Sequence, residues 1–253
     1  MTDPRKRFSD RVADYIRFRP GYPEALLPVL LPASKGRDAI SIADVGSGTG
    51  IFTRLLLRQG LTVYGVEPNA NMRQAAEEYL ADCENFVSIE GDAENTGLAD
   101  ASVDLVTAAQ AFHWFDNDAS KTEFNRILKP GGRLALIWNQ RRLEQPFQQA
   151  YEALLRKLAP EYGKVNHMNL GDHDIARFFQ PGQMQVFHFD NYQQFDFNGL
   201  AGRLKSSSYC PDENTPEYAR LQDELSRLFE AHAVDGRLTF EYDTRLYLGP
   251  IAP

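Results

Sequence analysis

Gly46-Ser47-Gly48-Thr49-Gly50 alternates glycine with small hydroxyl side chains, Asp44 stands just before it, and Glu67 follows some way on. A glycine-rich turn that ends a strand and opens a helix is ligand-binding geometry. The backbone can be approached closely, its N–H groups point outward, and the helix N-terminus favours negative charge. An acid at the end of the next strand suits a ribose diol, because a carboxylate accepts from both hydroxyls. Two ligand classes use this arrangement. The dinucleotide fingerprint is spaced G-x-G-x-x-G, so that a pyrophosphate rests on the helix N-terminus. Here the third glycine comes one residue sooner, and the carboxylate of Asp44 would repel a pyrophosphate while suiting an ammonium group. S-adenosylmethionine carries an ammonium, a cationic sulfonium, a ribose and an adenine, and no phosphate. The charges favour it over NAD.

Further along, His113 in AQAFHWFD falls just past the end of a fourth strand, where ligands of parallel sheets bind, and is the best general-base candidate. The competing expectation is that His113 and Trp114 cap that strand and pack the following helix. A base is needed only if the acceptor atom carries a proton; a carboxylate acceptor would call instead for cationic anchors. Arg141 and Arg142, directly after a fifth strand, could meet an acidic substrate or be solvated. Tyr15, Arg19 and Tyr22 could fold over the cofactor as a lid or serve as a packing arm, with Pro20-Gly21-Tyr22-Pro23 forcing an extended turn. His167, His173 and His188 are too scattered for a metal site, and none is expected.

These residues need elements to hold them. Apolar runs at 39–45, 61–67, 86–92, 103–110 and 133–139 read as strands. Helices are expected at 51–60, over NMRQAAEEYLA, and at 119–132, the last stopped by Pro130 and two glycines. Alternation at this spacing means βαβ units and a parallel sheet. After Asn139 the pattern loosens into a helix FQQAYEALLRKLA, a polar stretch, a strand-like 184–197, an amphipathic helix 216–233 and a final strand 237–249. The expected fold is therefore α/β: a Rossmann-like, seven-stranded, mostly parallel sheet with helices on both faces and a cap inserted after strand 5. The expected divisions are an N-terminal arm at 1–36, a cofactor-binding core at 37–140, a cap with a late strand at 141–205, and a C-terminal helix and final strand at 206–253. Phe178, Phe179, Phe187, Phe189, Tyr192, Phe195 and Phe197 enrich the cap in aromatics; strand alternation makes most of them core residues.

DVGSGTG, Glu67 in VYGVEPN, Asp92-Ala93 in IEGDAENTGLADASVDLV, and FNRILKPGGRLALIW resemble the successive motifs of class I S-adenosylmethionine-dependent methyltransferases. The resemblance, over residues 8 to 140, is to the type 11-like small-molecule set that includes trans-aconitate methyltransferase-like proteins. It implies that Gly46, Ser47, Gly48 and Gly50 lie under the methionine part of the cofactor. It implies also that Asp44 holds the amino group, Glu67 takes the ribose hydroxyls, Pro68 and Met72 pack on adenine, and Asp92 and Ala93 meet its polar edge. Gln110 would line the methionine end. Asp92 in a Gly-Asp turn could equally be turn chemistry. The product would be S-adenosylhomocysteine, and the acceptor a small molecule contacted by Tyr15, Arg19, Tyr22, Trp114 or Arg142. The rivals are a Rossmann-type NAD-dependent oxidoreductase and a non-catalytic S-adenosylmethionine-binding protein.

Composition sets outer bounds. The 253-residue chain is 43% hydrophobic and 25% charged, which is ordinary for a globular protein, and its net charge of -8 disfavours a nucleic-acid partner. Two cysteines, Cys83 and Cys210, lack the spacing of a disulfide framework or zinc site. No apolar run approaches the ~20 residues that span a bilayer. A cytoplasmic monomer or homodimer is the expectation.

Overall fold

The computed structural model describes residues 16–31, 40–115, 117–164 and 172–251. The chain forms a seven-stranded sheet: β1 (Ser41–Val45), β2 (Thr62–Val66), β3 (Phe86–Ile89), β4 (Val103–Ala109), β5 (Leu128–Arg141), β6 (Gln185–Phe195) and β7 (Leu238–Gly249), in the order β3-β2-β1-β4-β5-β7-β6. β1 pairs in parallel with β2 and β4, β2 with β3, and β4 with β5. The order reverses between β1 and β4, which is where open α/β sheets bind ligands, outside the carboxyl ends of the strands. The helices are α1 (Leu27–Leu30), α2 (Ile51–Leu57), α3 (Ala70–Tyr79), α4 (Asp118–Ile127), α5 (Pro146–Leu158), α6 (Asp172–Ala176), α7 (Phe197–Lys205) and α8 (Pro216–His232).

The chain divides into two compact units. One comprises 21–139, 168–189 and 244–253; the other 1–20, 140–167 and 190–243. In the larger unit, successive residues of each strand feed opposite faces. Ala43, Val45, Val106, Leu134 and Leu136 enter one core with Phe112, Phe124, Ile127 and Phe178. Ile42, Leu105, Ala135 and Ile137 enter a second core with Leu26, Leu30, Phe52 and Leu56. That alternation is the period-2 geometry of a strand buried on both sides. In the smaller unit Phe147, Tyr151, Leu154 and Leu155 of α5 pack with Leu200, Leu204, Leu221, Leu225, Leu238 and Phe240. The spacing of the α5 residues is one helical stripe.

Three expectations change. The helix read over 119–132 ends at Ile127, and Leu128 already pairs with Val103. The register then jumps to Leu105 with Arg133, so Lys129–Gly132 bulges out, with Gly131 at φ +78° and Lys129 Nζ 2.8 Å from Asp104 Oδ2. The helix has thus already ended before Pro130, which sits in the bulge, where its lack of an N–H for the ladder is tolerated. The second change concerns Phe178 and Phe179: they follow α6 rather than alternate along a strand, and both are buried. Third, Phe197 opens α7, capped by Asp196, whose Oδ1 accepts from Gly199 N at 2.7 Å.

Candidate active site

β1 delivers the glycine loop to the carboxyl edge of the sheet. Gly46, Gly48 and Gly50 all have positive φ, at +69°, +57° and +82°. Gly46 is also sterically required, since a Cβ there would lie 2.6 Å from Ala111 Cβ; a Cβ on Gly50 would meet only the end of the Leu80 side chain, Cδ1 at 2.8 Å. A Cβ on Gly48 would meet nothing within 4 Å. The bare backbone there faces open space, as a ligand cradle requires. Gly46 N and Ser47 N both donate to Val66 O, at 2.9 and 3.2 Å, and so tie the loop to the end of β2.

Glu67, the residue after β2, completes that tie. Its Oε2 accepts from Gly48 N and its Oε1 from Asn69 N, each at 2.9 Å, and the side chain is buried. Asn69 then caps α3, accepting from Asn71 N and Met72 N. The loop and the acid predicted to share a ligand are thus in direct contact. Pro68 is exposed and Met72 buried.

Asp44 is almost wholly buried, 1% exposed. Its Oδ2 accepts from Thr53 Oγ1 at 2.6 Å and its Oδ1 from Thr107 Oγ1 at 2.9 Å. Burial raises its pKa to about 6, against the two hydroxyl hydrogen bonds that favour the charge; Glu67 adds a smaller upward push. Thr53 and Thr107 are absent from the sequence-level candidates. Thr107 sits directly opposite Asp44 in the β1–β4 register, and Thr53 is one turn into α2. A hydroxyl inside an otherwise apolar run was the available signal.

At the end of β4, Gln110 has φ +60°, a left-handed conformation that a residue with a Cβ adopts only under constraint. Its N–H donates to Ile137 O at 2.8 Å and its Nε2 to Asn139 O at 3.2 Å. Asn139 is a second residue that sequence reasoning missed. Its Nδ2 donates to Gly21 O at 3.1 Å, and its Oδ1 accepts from Thr244 Oγ1 at 2.5 Å. One side chain therefore ties the Pro20–Pro23 turn to β7. Beside that turn, Tyr22 packs edge-on against Phe52, ring centroids 4.9 Å apart.

His113 lies on a short 3-10 turn, Phe112–Trp114, whose Phe112 is fully buried while Trp114 is 47% exposed. Burial lowers the His113 pKa to about 4, so the ring is neutral near pH 7. Asp92 is exposed and its Oδ1 accepts from Glu94 N and Asn95 N at 2.9 and 2.8 Å, so this oxygen performs turn chemistry; Ala93 beside it is buried. Arg19 Nη2 donates to Ser206 O at 2.9 Å, and Arg142 Nη2 donates to Asp190 Oδ1 in a short ion pair; both arginines belong to the smaller unit. Tyr15 lies outside the described residues. Among the described residues no group of His, Cys, Asp or Glu is arranged to hold a metal ion, and no helix is long and apolar enough to cross a membrane.

Residues 43–136 match the family described as methyltransferase domain. This stretch of the chain is similar to methyltransferase domains. An uncharacterised methyltransferase of Mycobacterium tuberculosis is 41% identical over 134 residues, which is 53% of this chain and 52% of that protein. An uncharacterised methyltransferase-like protein of Schizosaccharomyces pombe is 34% identical over 163 residues, 62% of each chain. The match thus spans about half of the mycobacterial relative's length, 52%. Among solved structures, a type II methyltransferase assignment from Anaeromyxobacter dehalogenans superposes with TM-score 0.70 at 22% identity, covering 93% of this chain and 99% of that one. A phosphoethanolamine N-methyltransferase of Haemonchus contortus, in complex with phosphomonomethylethanolamine and S-adenosylhomocysteine, gives TM-score 0.56 at 18% identity, covering 100% of this chain and 61% of that one. These structural likenesses show the Rossmann-like α/β fold.

Proposed function

We propose that the chain binds S-adenosylmethionine in the larger unit and transfers its methyl group to a small-molecule acceptor. The observation that carries this reading is the contact of the Glu67 carboxylate with Gly48 N, at 2.9 Å, beside a loop whose Gly48 faces open space. Two carboxylates, Asp44 and Glu67, flank that loop. Their charge opposes a pyrophosphate and favours a cationic ligand, which supports S-adenosylmethionine over NAD. The methyltransferase domain and the neighbour that holds S-adenosylhomocysteine support the same cofactor.

The residues fit the group. Gly46, Ser47, Gly48 and Gly50 would hold its methionine part, with Asp44 supplying negative charge behind the loop and Gln110 bounding that end. Glu67, which anchors Gly48, would take the ribose hydroxyls. Pro68 and Met72 would bound the adenine, with Asp92 and Ala93 at its polar edge. When bound, the cofactor supplies a methyl group activated by a positively charged sulfur. The protein then has to align the acceptor and exclude water. His113 is the candidate base for a hydroxyl or ammonium acceptor; burial, which holds its pKa at about 4, keeps it neutral near pH 7 but makes it a weak base until a bound ligand raises that value. Trp114 and Tyr22 are the aromatic candidates for acceptor contact in this unit. The expected setting is cytoplasmic, as a monomer or homodimer, without nucleic acid.

The test is transfer of isotopically labelled methyl from S-adenosylmethionine into pools of small organic acids, amines and phenols. Label in any pool supports the reading. Tight cofactor binding without label in any pool would make the chain a binding protein.

A further inference from the structure

In the smaller unit two arginines are buried with little to balance them. Arg203, on α7, is 5% exposed. Its Nε donates to Tyr242 Oη and its Nη1 to Ser207 Oγ, both at 3.3 Å, and its guanidinium lies 5.6 Å from the Phe240 ring centroid. These partners are all neutral. Arg141, at the end of β5, keeps 13% of its side-chain surface. Its Nη2 donates to Glu152 Oε2 at 2.8 Å and to Tyr162 Oη, and the guanidinium lies 5.6 and 5.5 Å from the Tyr151 and Tyr162 rings. Its Nη1 is buried with no hydrogen-bond partner.

Glu152 is the one carboxylate hydrogen-bonded within this group among the described residues, and it is shared. Arg156 Nη2 lies 2.9 Å from its Oε1, and Tyr162 Oη donates to its Oε2 at 2.5 Å. Tyr151 Oη is also buried without a partner, on a residue with no exposed surface. Tyr209 is buried beside them, its ring centroid 4.9 Å from that of Tyr162. The positive fields of Arg203, Arg141 and Arg19 all act on its hydroxyl.

A guanidinium taken out of water carries a large desolvation cost unless an anion and further hydrogen bonds meet it. Buried polar groups are hydrogen-bonded as a rule, so each exception asks for an explanation. One exception, Glu152 Oε1, is an acceptor already ion-paired with Arg156; the other two, Arg141 Nη1 and Tyr151 Oη, share one chemistry. Guanidinium groups only donate, and the Tyr151 hydroxyl has a proton with no acceptor. What would satisfy them together is a compact group with several acceptor atoms and negative charge, matched to the planar fork of arginine. We propose that Arg141, Arg203 and Tyr151, with Tyr209 beside them, form an oxyanion site that takes a carboxylate or phosphate group of a small molecule. Of the pair Arg141 and Arg142, which the sequence suggests for such a contact, Arg142 is already paired with Asp190. The proposal stands apart from the methyl-transfer reading, because every readout below is of anion binding.

The test is titration of the whole chain with succinate and with inorganic phosphate at constant ionic strength, followed by calorimetry and thermal shift. At least one anion should bind saturably. Tyr151→Phe should weaken that binding five- to tenfold and Arg203→Lys by tenfold or more. Without anion, Tyr151→Phe should melt at or above the wild-type temperature, since the hydroxyl it removes bonds to nothing in the protein. This variant carries the test if Arg203→Lys does not fold. Preference for succinate assigns a carboxylate ligand, and preference for phosphate a phosphate ester. Failure of both anions to saturate, or equal binding to wild type and Tyr151→Phe, would overturn the proposal. Loss of S-adenosylhomocysteine binding with anion binding intact would count against the methyl-transfer reading alone.

Discussion

Asp44→Asn is the substitution in which stability and function should part company. In the folded chain burial holds this carboxyl at a pKa of about 6, against an ordinary value of 3.8. Two units at about 1.4 kcal/mol each mean that keeping Asp44 charged costs the fold about 3 kcal/mol near neutral pH. The sign follows from proton uptake. Between about pH 4 and 6 the folded state binds more protons than the unfolded one, so the cost is absent below that window and complete above it. Asn removes the charge at nearly the same volume. The Thr107 hydroxyl can then accept from the carboxamide and donate instead to Ala43 O, 3.4 Å away. Denaturant unfolding should find Asp44→Asn more stable than wild type by up to about 3 kcal/mol at pH 7.5, with the gain shrinking to near zero by pH 4. Affinity for S-adenosylhomocysteine should meanwhile fall at least tenfold. A variant less stable than wild type at pH 7.5, or a gain independent of pH, would refute the claim that the fold strains to keep this carboxylate charged.

Other outcomes follow from the same geometry. Gly48→Ala should cost about 1 kcal/mol, the penalty for a left-handed φ alone, whereas Gly46→Ala adds a Cβ only 2.6 Å from Ala111 Cβ and should cost distinctly more; thermal melts of the pair compare them. His113→Ala should abolish labelled-methyl transfer and leave S-adenosylhomocysteine affinity within twofold, and unchanged turnover would return His113 to a packing role. His113→Gln should also flatten acid sensitivity. The depressed pKa of about 4 makes the ring's neutral form favour folding above pH 6.5, and that contribution fades as pH falls toward 4. Asn139→Ala removes the hydrogen bonds to Gly21 O and from Thr244 Oγ1, and should lower stability by about 1–3 kcal/mol in chemical denaturation.

The parallel half of the fold was legible because β1, β4 and the centre of β5 are buried on both faces and read as mainly apolar runs, while β1 and β2 end near the acids Asp44 and Glu67. Ile42 and Ala43 go to opposite cores, yet both had to be apolar. Leu128–Gly132 was misread because the helix signal of KTEFNRIL runs straight into a bulge. Only the pairing of Leu128 with Val103 separates the two, and pairing is a tertiary fact. Within the site, Asp44, Glu67 and the glycines stood out by spacing. Thr53, Thr107 and Asn139 did not, because a hydroxyl or amide shows its importance only when its partner is known. Arg141 stands out beside Arg142 as a contact for an acidic substrate, but nothing in the sequence tells its burial, or that of Arg203, from a solvated arginine.

The central claim is that the Gly46–Gly50 loop and Glu67 bind an S-adenosyl ligand. The direct measurement is calorimetric titration of wild type and Glu67→Gln with S-adenosylhomocysteine and NAD. The account predicts saturable binding of S-adenosylhomocysteine alone, weakened by about 1–3 kcal/mol in Glu67→Gln, where hydrogen bonds to a charged acceptor are lost. Binding of NAD in its place, or S-adenosylhomocysteine affinity untouched by Glu67→Gln, would contradict it.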